Sequence, residues 1–259
     1  MKLRFLGTGT SFGIPVVGCN CAACTSSDPR DRRTRHGALL RSDDGQKVLL
    51  IDTPPELRQQ LLQARVDHLD AVWFTHAHAD HTHGIDDVRV FCDRPERRLP
   101  LYADPECAEN LLRRFDYIFD ESRRAPGGPR ALVELRVIDP ANPVQIAGFQ
   151  LTPLPLPHGD IHVYGFRVGP LGYLTDAKQL TPAVRAQLSG VRVLVINALW
   201  FGRTHPTHFN IEEAVEEARA LGVEQTYLTH LTHRVTHAEL LEKLPPGVSP
   251  AYDGLEIDL

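Results

Sequence analysis

A mixed α/β fold, with two sheets packed together and helices outside them in one domain over residues 1–259, is what this sequence predicts. Three observations lead there. Short apolar, β-branched runs recur along the whole chain, and a smaller number of helical patterns is interposed among them. Hydrophobic residues make up 42% and charged residues 24%, an ordinary globular balance. No repeat of fixed period and no low-complexity tract interrupts the pattern.

In chain order, the first strand is Leu3–Gly7, followed by Ala38–Arg41 and Val48–Ile51. A helix is expected to start near Pro55, before the apolar strand Ala71–Phe74, and another near Pro105. Val133–Ile138, Gln150–Leu154, Tyr164–Val168 and Gly172–Leu174 continue the strands, then come a helix near Thr181 and the strand Val193–Asn197. The helix at Ile211 carries the clearest signals. Asn210 can cap it, Glu213 stands where a capping-box partner belongs, and Leu221-Gly222 supplies a glycine stop. The strand Thr226–Leu228, a helix near His237 and the strand Leu255–Leu259 complete the order. Asp120–Arg130 (DESRRAPGGPR) has no apolar periodicity and reads as a mobile surface loop.

Charge and cysteine content narrow the function. The formal charge of -5 gives no global basic field, which counts against nucleic acid and anionic membranes as partners. No apolar run approaches the roughly 20 residues of a membrane span. Met1-Lys2-Leu3-Arg4-Phe5-Leu6 lacks the features of a signal peptide, and five cysteines with three crowded between Cys19 and Cys24 are not a secreted disulfide framework. A cytoplasmic location is expected.

The strongest chemical signal is His76-x-His78-x-Asp80-His81, directly behind the apolar Val72-Trp73-Phe74. Imidazoles suit zinc, manganese and iron, and a carboxylate adds a harder, charged ligand. In extended backbone His76, His78 and Asp80 fall on one side and His81 on the other, so a turn after the strand would gather them around two ions rather than one. His158, Asp176 and His230 each follow an apolar run in the same way. One such residue alone is more often a strand-end cap; together they supply what two ions would still lack.

Cys19-Asn20-Cys21-Ala22-Ala23-Cys24 is the second signal. Three thiols so close together form either a metal clamp or a redox pair. The third thiol, the lack of an adjoining thioredoxin-like βαβ pattern and the spare His233 favour a structural zinc. The segment His230–His233 would then tie this cluster to the first one.

His76–His81 with His158, Asp176 and His230 in that order resembles the metallo-β-lactamase superfamily, and the resemblance covers nearly the whole chain. It implies a four-layer αββα sandwich with two divalent ions, zinc or manganese. One ion would be held by His76, His78 and His158, and the other by Asp80, His81 and His230, with Asp176 bridging. Asp52, behind Leu49-Leu50-Ile51, matches an acidic residue kept near the site in that family, and reads equally well as a strand-end turn cap. The cysteine clamp, Gly7-Thr8-Gly9, Pro15, Gly18 and Tyr252-Asp253-Gly254-Leu255-Glu256-Ile257 look like the PhnP branch. Members of that branch are phosphodiesterases acting on phosphoribosyl 1,2-cyclic phosphate.

The resemblance implies a small phosphodiester substrate and a homodimer. It puts His208 where those relatives carry a catalytic histidine, so His208 and Asp80 are the candidate catalytic residues; the other reading of His208 is a residue leading into the Ile211 helix. His83, His162 and His205 are extra histidines near matched motifs, and Arg123, Arg124 and Arg130 read as solvated charges or a clamp for a second phosphate. Competing functions are a nuclease like the transfer-RNA 3′-processing enzymes, a thioester or lactone hydrolase, and a non-catalytic accessory protein of cofactor biosynthesis. The acidic balance weighs against the nuclease, and the completeness of the ligand set weighs against the accessory protein.

Overall fold

Val48-Leu49-Leu50-Ile51 is apolar at every position because both faces of its sheet are covered. The computed structural model describes residues 1–93, 98–120 and 132–259, and all of the expected Asp120–Arg130 loop except Asp120 lies outside them. One seven-stranded sheet runs, in spatial order, β14 (Glu256–Asp258), β1 (Lys2–Gly7), β2 (Gly37–Arg41), β3 (Val48–Ile51), β4 (Ala71–Trp73), β5 (Leu99–Ala103) and β6 (Val133–Val137). The other runs β13 (Val248–Pro250), β12 (Gln225–Thr229), β11 (Val193–Asn197), β10 (Leu171–Tyr173), β9 (Ile161–Val168), β8 (Phe149–His158) and β7 (Val144–Ile146). In each sheet an antiparallel half adjoins a parallel half: β3 to β6 are parallel in the first, β10 to β13 in the second.

Three apolar clusters define the layers. Leu3, Phe5, Leu49, Ile51 and Trp73 of the first sheet meet Phe166, Tyr173 and Val195 of the second. Trp73 meets Phe166 edge-on, with ring centroids 5.8 Å apart. The alternate residues Val48, Leu50 and Val72 turn outward against helices α1 (Leu57–Gln63), α3 (Val90–Asp93) and α4 (Pro105–Arg114). On the far side Leu154, Leu194 and Leu228 pack against α6 (Pro182–Gln187), α7 (Ile211–Leu221) and α8 (His237–Lys243). Each such fully buried Leu or Val contributes about 1.5–3 kcal/mol of transfer free energy. The order is therefore helix, sheet, sheet, helix. No helix among the described residues is long and apolar enough to cross a membrane.

The local signals act as expected at α7, where Asn210 and Glu213 form the complete capping box and Gly222 closes the helix at φ 67°. Strands β5, β7 and β13 and the short helices α2 (Ala79–Thr82), α3 and α5 (Asp116–Phe119) are additions to the sequence reading. Strand β8 is also longer than its expected span, continuing through Pro153, Pro155 and Pro157 to His158. β7 pairs only with Phe149–Leu151, so the proline half is an edge, and prolines at alternate positions point their missing N–H groups to the uncovered side.

Candidate metal centre and active site

The parallel strands end at one rim of the sandwich, and the polar residues behind them converge there. Among the described residues five non-glycine residues have positive φ, and three are at this rim: Asp52 (62°) after β3, Asp176 (55°) after β10, and His230 (55°) after β12. Such backbone costs about 1–3 kcal/mol per residue, and its concentration at one rim marks a functional site. Asn197, at the end of β11, fixes the turn around Asp176: its side chain accepts from Ala177 N at 2.7 Å and donates to Ala177 O at 3.1 Å.

His76, His78 and His158 form one group of candidate ligands and Asp80, His81 and His230 another, with ligand atoms in each group within 4.8 Å of one another. Asp176 stands between them. Its Oδ1 is 3.6 Å from His81 Nε2, and its Oδ2 is 4.0 Å from His76 Nε2 and 3.4 Å from His230 Nε2. Most of these gaps are too long for hydrogen bonds and suit atoms sharing a cation's coordination shell. The Nε2 atoms of His76, His81 and His230 are buried without a hydrogen-bond partner. A buried polar atom normally finds one, so three orphaned nitrogens facing carboxylates fit a divalent cation. The turn that gathers the motif is α2, which begins directly after His78 and carries Asp80 and His81.

The outer nitrogens are held in place. His81 Nδ1 donates to Asp52 Oδ2 at 2.7 Å, and Asp52 also accepts from Thr75 N and Thr75 Oγ1, both at 2.8 Å. His158 Nδ1 donates to Thr207 O at 3.1 Å. This is how a ligand imidazole is oriented, with its second nitrogen on a carboxylate or carbonyl. Burial would lower the His81 pKa, yet Asp176, Asp80 and Asp52 together push it up to about 10. Burial raises Asp176 and Asp80, but the surrounding histidines win and hold both carboxyls below their usual range. The rim is thus a pocket of fixed negative charge.

His208 Nε2 lies 3.2 Å from Asp176 Oδ2, and its Nδ1 lies 2.9 Å from Thr207 Oγ1. Burial depresses this imidazole despite the nearby Asp176. Phe209 N donates to Ala177 O at 2.9 Å, so the His208 loop is sewn to the Asp176 turn.

Cys19, Cys21, Cys24 and His233 form a separate group of candidate ligands. The sulfurs of Cys19 and Cys21 are each 3.3 Å from His233 Nδ1. About 3.5 Å separates tetrahedral sulfur and nitrogen ligands at ordinary zinc distances. Strand β1 leads into this loop through Gly7-Thr8-Gly9. A Cβ at Gly7 would stand 2.0 Å from Arg35 O, and one at Gly9 2.9 Å from Arg33 O, so both positions exclude a side chain. Leu231 N donates to Thr8 O at 2.9 Å, fastening the loop to the His230 turn.

The extra histidines separate. His83 lies edge-on to Phe115 and His162 is exposed on β9, both outside the groups of candidate ligands, whereas His205 packs against His208 with ring centroids 5.1 Å apart. Arg123, Arg124 and Arg130 are outside the described residues. Sequence reasoning missed His36. It is fully buried behind His81 and His230, with Nε2 2.6 Å from Tyr173 Oη and Nδ1 3.1 Å from Thr229 Oγ1. Its only sequence signal is a lone histidine just before an apolar strand.

Known proteins share this fold. The profile of the β-lactamase superfamily domain matches residues 47–231. The crystal structure of a diphosphatase from the PhnP family superimposes with a TM-score of 0.90 at 37% identity, covering 99% of this chain and 96% of that one. Zn²⁺-bound PqqB from Methylobacterium extorquens has the same fold, with a TM-score of 0.80 at 18% identity over all of both chains. An octanoyltransferase of Porphyromonas gingivalis is 39% identical over 257 residues, 99% of this chain but only 51% of that protein. The chain thus spans about half the length of that curated relative. With the superfamily profile over most of its length and the PhnP-family likeness from end to end, the chain belongs to the β-lactamase superfamily and, within it, to the PhnP family.

Proposed function

We propose that the chain is a dinuclear metal-dependent hydrolase of small phosphodiesters. The observation that carries this reading is the set of orphaned Nε2 atoms of His76, His81 and His230, facing Asp80 and Asp176. His76, His78 and His158 would hold one ion, Asp80, His81 and His230 the other, and Asp176 would touch both. When bound, such ions make water acidic enough to attack at neutral pH and offset charge on phosphoryl oxygens.

The chain's own residues do the rest. Asp52 fixes the His81 ring, Asn197 fixes the Asp176 turn, and Asp80 stays ionised between His81 and His230. His208, hydrogen-bonded to Asp176, would give the leaving oxygen of the ester a proton or a hydrogen bond. Cys19, Cys21, Cys24 and His233 would hold a structural zinc beside the cleft. The name of the PhnP-family relative, a diphosphatase, extends the substrate class to phosphoanhydrides. The octanoyltransferase name of the longer relative makes an acyl thioester the competing substrate.

Purified protein supplied with manganese or zinc is therefore expected to cleave bis-p-nitrophenyl phosphate or a cyclic phosphate, with ion content measured per chain. Cleavage of octanoyl thioester without any phosphodiester or phosphoanhydride turnover would overturn the reading. His208→Ala should keep its ions and lose about 10²-fold or more in rate. Unchanged turnover of a substrate with a poor leaving group would remove His208 from the mechanism.

A further inference from the structure

Next to His208 and His230 opens a cavity of about 390 Å³, within the range of small-ligand sites. Its walls include Phe12 on the loop behind β1, Leu199 and Trp200 behind β11, and Arg234 behind His233. A phosphoryl group at the ion-binding rim would leave one of its ester substituents facing this cavity.

The aromatic walls are oriented rather than collapsed. The Trp200 indole is fixed on three sides: Nε1 donates to Arg203 O at 2.6 Å, the Arg234 guanidinium carbon lies 4.2 Å from the ring centroid, and His205 meets the ring edge-on at 5.7 Å. Phe12, also in the cavity wall, is 74% exposed. The loop that displays it is fastened at Gly9, which bridges both Arg35 and Leu231, and the cavity reaches His233 of the cysteine cluster. Phe12, the Trp200 indole and the Arg234 guanidinium thus line one cavity beside the candidate metal centre, a concave wall of flat surfaces with polar groups converging at its end. A flat group entering the cavity would find Phe12 and the Arg234–Trp200 pair as stacking surfaces, since both aromatic and guanidinium planes accept stacked rings.

We infer that this cavity receives a planar aromatic substituent of the substrate, of nucleobase or aryl type, and so selects nucleotide-like phosphodiesters over those of bare sugars. The inference rests on the phosphodiesterase reading for its substrate but not for its binding site. Its test compares a nucleoside 2′,3′-cyclic phosphate with the methyl riboside 2′,3′-cyclic phosphate, which differs only by the missing base. Wild type should prefer the nucleoside in kcat/KM by about tenfold, carried by KM, within the range for losing one ring stack. Phe12→Ala and Trp200→Phe should shrink that ratio, and Phe12, being exposed, can be truncated without unsettling the core.

Equal use of both substrates by wild type, or an unchanged ratio in both variants, would overturn the inference. A second readout is independent of turnover. Trp73 is fully buried, so quenching of tryptophan fluorescence by a nucleoside monophosphate should come from Trp200 and disappear in Trp200→Phe. Quenching that survives the substitution counts against the cavity. Quenching without cleavage of either cyclic phosphate, of bis-p-nitrophenyl phosphate or of a phosphoanhydride would uphold the cavity and overturn the phosphodiesterase reading instead.

Discussion

At the scale of single residues, Asp52 shows how an ion-binding site is built one atom behind its ligands. Its two oxygens take Thr75 N, Thr75 Oγ1 and His81 Nδ1, from a backbone position at φ 62° that aspartate and asparagine tolerate better than most residues. Asp52→Asn preserves shape and φ but removes the charge that orients the His81 ring. Ion affinity should fall about 10–100-fold while the fold survives, as outer-shell substitutions do. Titration with zinc against a competing chelator measures this, and an unchanged affinity would reduce Asp52 to a strand-end cap. The side chains that meet at the rim could be picked out in the sequence because ligand-type residues stood directly behind apolar runs. His36 and Asn197 could not, because their partners are 137 and 20 positions away and nothing in their neighbours announces the pairing.

At the scale of elements, legibility followed the source of each element's stability. Helix α7 carries its own caps and was readable to the residue, whereas β7 and β13 are three-residue strands defined by their neighbours. β5 contains a proline, and the proline half of β8 reads as a loop until its uncovered edge is known. The segment from Gly9 to Cys24 has no helix or strand of its own; bridges at Gly9 and Ile14 hold its first half, and the cysteine cluster holds its second, where Val16 N also donates to Cys24 Sγ at 3.3 Å. Cys24→Ser is therefore expected to lose one ion per chain and open this segment to proteolysis. The three apolar clusters remain, so the loss should be local, about 2 kcal/mol or roughly 4–8 °C in Tm for a chain of this size. Limited proteolysis and calorimetry together decide the matter. Global unfolding, or cleavage rates unchanged in this segment, would show that the cluster does not act as a local fastening.

At the scale of the whole molecule, the candidate ligands come from both halves of the sandwich. His76, His78, Asp80 and His81 follow the first sheet's β4, while His158 ends the second sheet's β8 and Asp176 and His230 follow its β10 and β12. Ions bound there would bridge the two sheets and compete with a proton for the same negative pocket. Burial alone would leave His81 neutral, but Asp176, Asp80 and Asp52 hold its proton up to a pKa of about 10. An ion that needs the neutral imidazole must displace that proton at any lower pH, so affinity rises with pH and the rise continues past neutrality. One proton released per ion gives about a tenfold gain per pH unit between pH 7 and 9. An imidazole at the ordinary value of about 6.5 would instead give a plateau over that interval. Zinc affinity of chelator-stripped protein, measured by competition at pH 7, 8 and 9, separates the two, and in Asp52→Asn the slope should flatten toward the plateau. A flat profile in the wild type would mean that the carboxylates around His81 do not store a proton where the cation belongs.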